Sequence, residues 1–426
     1  MTPAPAGRRA NEDGGLARTV LPNGLTVVSE VVPGVRSVAI GAWVRSASIH
    51  EAPADMGVSH MLEHLCFKGT ARRSAREIAL SLESLGGSLD AYTSREQVCF
   101  QARVLDEHLP QAADVIADVM FHPLLREEDL ALERRVVLEE IAMVEDTPDD
   151  IVFELHNEQL WGAHPYGYSI LGTRETVGGL DVERVRALHQ RAFHAGNVVV
   201  AAAGHIPHER LVEALLAAGW GDIPATARGP ASPSSPGAPA GQPPIRRHVA
   251  RDTSQAHLVF GSPTVPHRDP RRHALILVDM LLGGGMSSRL FQKVREELGL
   301  AYSVYSFQSF HSDCGVHGIY AGTGAETADR TIDAIRAELT RLAAHGIGAD
   351  ELAMGKQQLK GQITLSMESV HSRMYRAASV DLLGEPWRPL DELLARVDAV
   401  TLEGAMEACE AFFHPDRQTV VHLGPA

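Results

Sequence analysis

Two short runs over 16–30, joined across Asn23-Gly24, a pair that accepts the positive φ of tight hairpin turns, predict a β-hairpin. The run 37–44 is apolar after its first residue, Ser37, and predicts a strand. Residues 57–67 read as a helix, and Ser74-Ala75-Arg76-Glu77 is a capping box that opens the next one. Residues 86–104 follow as a strand pair. Leu109, Ala112, Ala113, Ile116 and Met120 then recur at helical spacing, and 127–145 form a long charged helix. The order repeats beyond residue 245, with a strand at 256–260, a helix at 274–282, strands across 301–321, and helices at 328–342 and 349–367. The two halves read as duplicates. The expected fold class is α+β: two homologous α/β-sandwich domains, each a mainly antiparallel sheet covered by helices on one face.

Length and composition divide the chain. Its 426 residues suit two or three domains. Residues 229–244, GPASPSSPGAPAGQPP, hold almost nothing that could anchor a core and predict an extended connector. The expected organisation is a disordered N-terminal tail at 1–15, an N-terminal domain at 16–228, the linker at 229–244 and a C-terminal domain at 245–426. With 44% hydrophobic and 22% charged residues, the chain reads as globular. Its net charge of −15 disfavours nucleic acid and anionic membrane surfaces as partners. No apolar run is long enough to span a bilayer, and the first residues lack the apolar core of a signal peptide. Four cysteines, Cys66, Cys99, Cys314 and Cys409, show no CxxC spacing, which fits a reducing compartment. A bacterial cytoplasm is expected ahead of a mitochondrial matrix. Lysine occurs only at Lys68, Lys293, Lys356 and Lys360 in a chain rich in arginine, a bias that suits a GC-rich genome and suggests no chemistry.

The strongest chemical signal is His60-Met61-Leu62-Glu63-His64. At ~100° per residue the two histidines and the glutamate fall within an arc of about 100° on one helix face. Two imidazoles four apart can grip one Zn²⁺, and the carboxylate beside them can take a proton from water on the metal. This is HxxEH, the inverse of the commoner HExxH. Taken alone the pentad leaves two readings open, a zinc site and a helix whose histidines are merely polar neighbours. A third ligand is expected on another element, leaving a fourth corner for water. In the helix 127–145, Glu133 and Glu140 share a face while Glu139 points about 100° away. A solvated acidic face is the alternative for that stretch. Aligning Leu130-Ala131 with Leu352-Ala353 sets Gln362 opposite Glu140 and Gly355 opposite Glu133, so the acidic pair belongs to one half only.

These motifs resemble the pitrilysin family of zinc metallopeptidases, in its half-length form related to the mitochondrial processing peptidase. The likeness rests on Gly57-Val-Ser-His60-Met-Leu-Glu63-His64 with Phe67-Lys68-Gly69-Thr70, on Glu133-Arg-x-Val-Val-x-x-Glu140-Ile141, and on Gly283-Gly-Gly-Met-Ser-Ser-Arg289-Leu. It implies one Zn²⁺ per chain held by His60, His64 and Glu140, with Glu63 as general base and Glu133 as a carboxylate orienting the site. Arg295 and Tyr302 resemble the family's pair that contacts substrate and the developing oxyanion; read without the family they are a helix-end charge and a strand residue. Gly87, Ser88, Asp90 and Ala91 resemble the strand to which family members add an extended peptide. Asp90 stands where asparagine is common, and an ionised Asp accepts hydrogen bonds without donating.

The resemblance implies a zinc metalloendopeptidase that hydrolyses unfolded peptides or presequence-like segments in a closed chamber. The implied partner is a second copy, a homodimer, with a heterodimer of related subunits as the alternative. Two rival readings share the fold: a non-catalytic assembly subunit, which needs none of the four site residues, and a maturation peptidase dedicated to one small precursor. His156 and the segment His164-Pro165-Tyr166-Gly167 are expected to pack as a loop, and Cys66 to behave as a small core residue.

Overall fold

The computed structural model describes residues 15–226 and 236–425. The tail expected at 1–15, apart from its last residue, and positions 229–235 of the connector lie outside the described residues.

The chain builds two sheets. The first contains β1 (Leu16–Val20), β2 (Thr26–Val31), β3 (Ser37–Val44), β4 (Ser88–Thr93), β5 (Val98–Leu105) and β6 (Val198–Gly204), in the order β1-β2-β6-β3-β5-β4. The second contains β7 (Arg246–Ala250), β8 (Ala256–Thr264), β9 (Ala301–Phe310), β10 (Gly315–Thr323) and β11 (Thr419–Gly424), in the order β7-β11-β8-β10-β9. Leaving β1 aside, the two orders correspond strand for strand. In each, the first pair is parallel, β2 with β6 and β7 with β11, and the remaining pairs are antiparallel. The duplication read from the sequence is therefore present in the connectivity. The hairpin forms with Leu16 opposite Glu30. Its turn differs from the two-residue one expected, because the strands stop at Val20 and resume at Thr26, and only Gly24 takes a positive φ, 87°.

β3 lacks polar alternation because both of its faces are buried. Val38, Ile40, Ala42 and Val44 join a core that also takes in the helices Val58–Cys66 and Leu109–Phe121. Ala39 and Trp43 point the other way, onto Val370, Met374, Ala377 and Ala378 of the helix Val370–Leu382. The second sheet likewise packs Val259, Val421 and Leu423 on Val152 of the helix Pro148–Trp161.

These two helices alter the expected domain boundaries. Among the described residues, one compact unit comprises 15–141, 169–226 with 236, and 366–387, and the other 142–168, 237–365 and 388–425. The linker separates the strands of one sheet from those of the other, as its composition suggests. It does not separate the helices, because the apolar face of each of these two is buried against the sheet built by the opposite half of the chain. His156 is corrected in the same way: it lies within the helix Pro148–Trp161 and is 1% exposed, not in a loop.

Candidate metal centre

The helix Val58–Cys66 buries Val58, Met61, Leu62 and Leu65, leaving His60, Glu63 and His64 half-buried on its remaining face. It begins at Gly57, whose φ is 89°. A Cβ there would stand 2.5 Å from the carbonyl oxygen of Leu171, so only glycine fits. Glu51 closes the same end, its carboxylate accepting from the amides of Gly57 at 2.9 Å and Ser59 at 2.8 Å. Burial outweighs these bonds and pushes the Glu51 carboxyl up to about 7.

The helix Glu127–Asp146 turns Leu130, Glu133, Val137 and Ile141 inward. Glu140 lies on the flank of that stripe and Glu139 is exposed. Nε2 of His60 stands 3.7 Å from Oε2 of Glu140, and Nε2 of His64 stands 3.7 Å from Oε1. Ligand atoms of the three residues all lie within 4.8 Å of one another, the one such group among the described residues. The separations are too long for hydrogen bonds. They are close to the ~3.4 Å expected between two atoms bound tetrahedrally at ~2.05 Å to one ion. Two imidazole nitrogens and a carboxylate with an open fourth corner form the donor set of a catalytic zinc site, so the residues fit the metal.

His60 is held neutral, as a ligand must be: burial, and secondly the neighbouring His64, push it down to about 4. The orientation of His64 has a visible cause. Its Nδ1 lies 3.0 Å from Oε2 of Glu133, a carboxylate that can only accept, so Nδ1 carries the hydrogen and Nε2 presents its lone pair towards Glu140. The other oxygen of Glu133 faces Nζ of Lys68 at 2.8 Å. Nδ1 of His60, by contrast, is buried without a hydrogen-bond partner among the described residues. Glu63 accepts a 2.5 Å hydrogen bond from Oγ1 of Thr93 on its Oε2. Burial raises its carboxyl all the same, with Thr93 and His64 opposing and Asp90 and Glu140 assisting.

The remaining expected residues are placed as follows. Ser88, Asp90 and Ala91 lie on β4, the outer strand of the first sheet, and Gly87 directly precedes it. Leu89 and Ala91 pack inward, whereas Asp90 is exposed and accepts from the amide of Ala91 at 2.9 Å. In the second unit a π-helical segment, Phe291–Glu297, carries Arg295. Its guanidinium lies over the rings of Phe291 and Tyr302, 4.7 Å from each centroid, and Tyr302 is 78% exposed. The structure thus gathers His60, Glu63, His64, Glu133 and Glu140 in one unit and pairs Arg295 with Tyr302 in the other. Cys66 is buried, its thiol pushed up by desolvation. The sequence reading passes over Glu51 and Thr93, and names Lys68 without giving it a role. The one available signal is the place of Lys68 four residues after His64, in the same motif.

Comparison with known proteins shows the family. The sequence model described as Insulinase (Peptidase family M16) matches residues 26–174, which include all five residues of the centre. A second, described as Peptidase M16 inactive domain, matches residues 179–359. An uncharacterized zinc protease of Bacillus subtilis is 40% identical over 406 residues, covering 94% of this chain and 96% of its own length. Another, from Streptomyces coelicolor, is 40% identical over 395 residues, covering 91% and 85%. Among solved structures, a protease from Helicobacter pylori superposes with a TM-score of 0.89 at 21% identity, covering 97% of this chain and 100% of that one. A peptidase M16 inactive domain from Pseudomonas fluorescens gives 0.88 at 23%, covering 96% and 98%. With the centre inside the matched segment and relatives alike over nearly their whole length, the chain belongs to peptidase family M16.

Proposed function

We propose that the chain is a zinc-dependent endopeptidase acting on unfolded peptides, and that it works as a homodimer. The observation that carries this reading is the convergence of His60, His64 and Glu140 beside a buried carboxylate, Glu63. Zinc held there supplies Lewis acidity, acidifying a water molecule and polarising a carbonyl. Glu63 is the general base. Thr93 ties up its Oε2, which leaves Oε1 to take the proton and return it to the leaving amine. β4 is the outer strand of its sheet among the described residues, and its open edge suits the addition of an extended peptide, a mode that requires the substrate to be unfolded. Arg295 and Tyr302 steady the substrate and the negative charge growing on its carbonyl oxygen, acting from the partner copy.

No helix among the described residues is long and apolar enough to cross a membrane. All four cysteines are buried and none is in a disulfide among the described residues, which supports a reducing, cytoplasmic site of action. A non-catalytic scaffold would need none of the converging residues.

The test is to incubate purified protein with a mixed library of unfolded peptides, with and without chelator, and to map the cuts by mass spectrometry. Cleavage should depend on metal, and Glu63→Gln should retain zinc while cutting nothing. Turnover by Glu63→Gln at the parent rate would remove Glu63 from its role, and chelator-resistant cleavage would remove the metal.

A further inference from the structure

Of the 39 lysines and arginines only four are lysine, and of Lys68, Lys293, Lys356 and Lys360 only Lys68 belongs to the unit that holds the metal centre. It sits on Glu133, the one charged residue in the buried stripe of its helix. The side chain of Glu133 is 7% exposed, so its charge is costly unless both oxygens are compensated. Among the described residues each has one partner: Oε1 meets Nζ of Lys68 at 2.8 Å, and Oε2 meets Nδ1 of His64 at 3.0 Å.

The two basic side chains would treat such a carboxylate differently. A guanidinium presents a planar fork that engages both oxygens at once. An ammonium is a compact point charge that satisfies one oxygen and leaves the other free. We propose that Lys68 is a positioning residue of the metal centre: by neutralising Glu133 through Oε1 alone, it reserves Oε2 for Nδ1 of His64 and so aims Nε2 at the point shared with His60 and Glu140. Lysine is required there because arginine would compete with His64 for Glu133. This rests on the zinc reading above, but it makes a separate demand on a residue that touches neither metal nor substrate.

The experiment measures zinc dissociation constants of the full-length protein by competition with a chromophoric chelator, alongside urea unfolding of the metal-free forms. Lys68→Arg should weaken zinc binding by about 10- to 100-fold, the usual cost of disturbing a partner of a ligating histidine, while the metal-free protein unfolds at the parent's midpoint. Lys68→Met should weaken zinc similarly and also destabilise the metal-free protein, since Glu133 loses its counter-charge. In a Glu133→Gln background, already weakened, Lys68→Arg should cost nothing more, because the path through Glu133 is gone. Parent-like affinity in Lys68→Arg, or equal losses with and without Glu133, overturns the proposal. Absence of stoichiometric zinc from the parent protein would instead sink the metal reading itself.

Discussion

Thr93 decides which oxygen of Glu63 is free. Its hydroxyl lies 2.5 Å from Oε2, and a donor to a charged acceptor is worth about 2 kcal/mol, or roughly 30-fold in rate if spent on orienting Glu63 as the proposed base. Thr93→Val should therefore lower kcat by that order with little change in KM, and Thr93→Ser should recover most of it; steady-state kinetics on one peptide checks both. Glu51 gives a pH-dependent expectation. Its folded value of about 7 exceeds the ordinary 4.5, so the folded state holds the proton more tightly. The resulting stability is fully present below pH 4.5 and is lost as the pH rises through about 7, on the order of 3 kcal/mol. Urea midpoints at pH 5 and 8 should fall more for the parent than for Glu51→Gln, which stays neutral throughout. The sequence made His60, Glu63 and His64 legible because helical spacing alone sets them on one face. It left Thr93 and Glu51 unread, since nothing in a strand or a loop states which helix it will meet.

Elements with a strong period were read correctly in kind and nearly in extent; the helix expected at 127–145 spans Glu127–Asp146. The helix Pro148–Trp161 shows the limit. Val152, His156 and Leu160 form its buried stripe, but a stripe does not specify which sheet will cover it. His156 pays for this position in its acidity: burial pushes it from 6.5 down to about 4, with a 3.3 Å contact between Nε2 and the carbonyl oxygen of Thr419. A depressed histidine contributes stability above its unfolded value and loses it as the pH falls from 6.5 through about 4. Unfolding free energies measured between pH 7 and 4.5 should drop less steeply in His156→Gln than in the parent.

At the scale of the whole molecule, the duplication of sheet order was foreseeable from repeated patterns, whereas the exchange of helices between halves was not. Residues 16–228 expressed alone lack the helix Val370–Leu382, so Val28, Ala39, Trp43, Val199 and Ala201 lose their cover. Either half alone should aggregate, and co-expression should return a soluble, co-eluting pair; a soluble, folded isolated half would contradict this. The proposed two-copy site has its own check. After subunit exchange, inactive Glu63→Gln mixed with inactive Tyr302→Phe should regain activity, and no rescue despite confirmed exchange would mean that both groups act within one chain. The crossed helices also order events in time. Translation delivers every candidate metal ligand by residue 140, yet the sheet beneath them stays bare on its far side until residues 370–382 follow. A ribosome making this chain therefore completes the unit that carries the candidate metal centre only once residues 370–382 have emerged, well over 200 residues after the last candidate ligand, Glu140, a delay written into the chain's path.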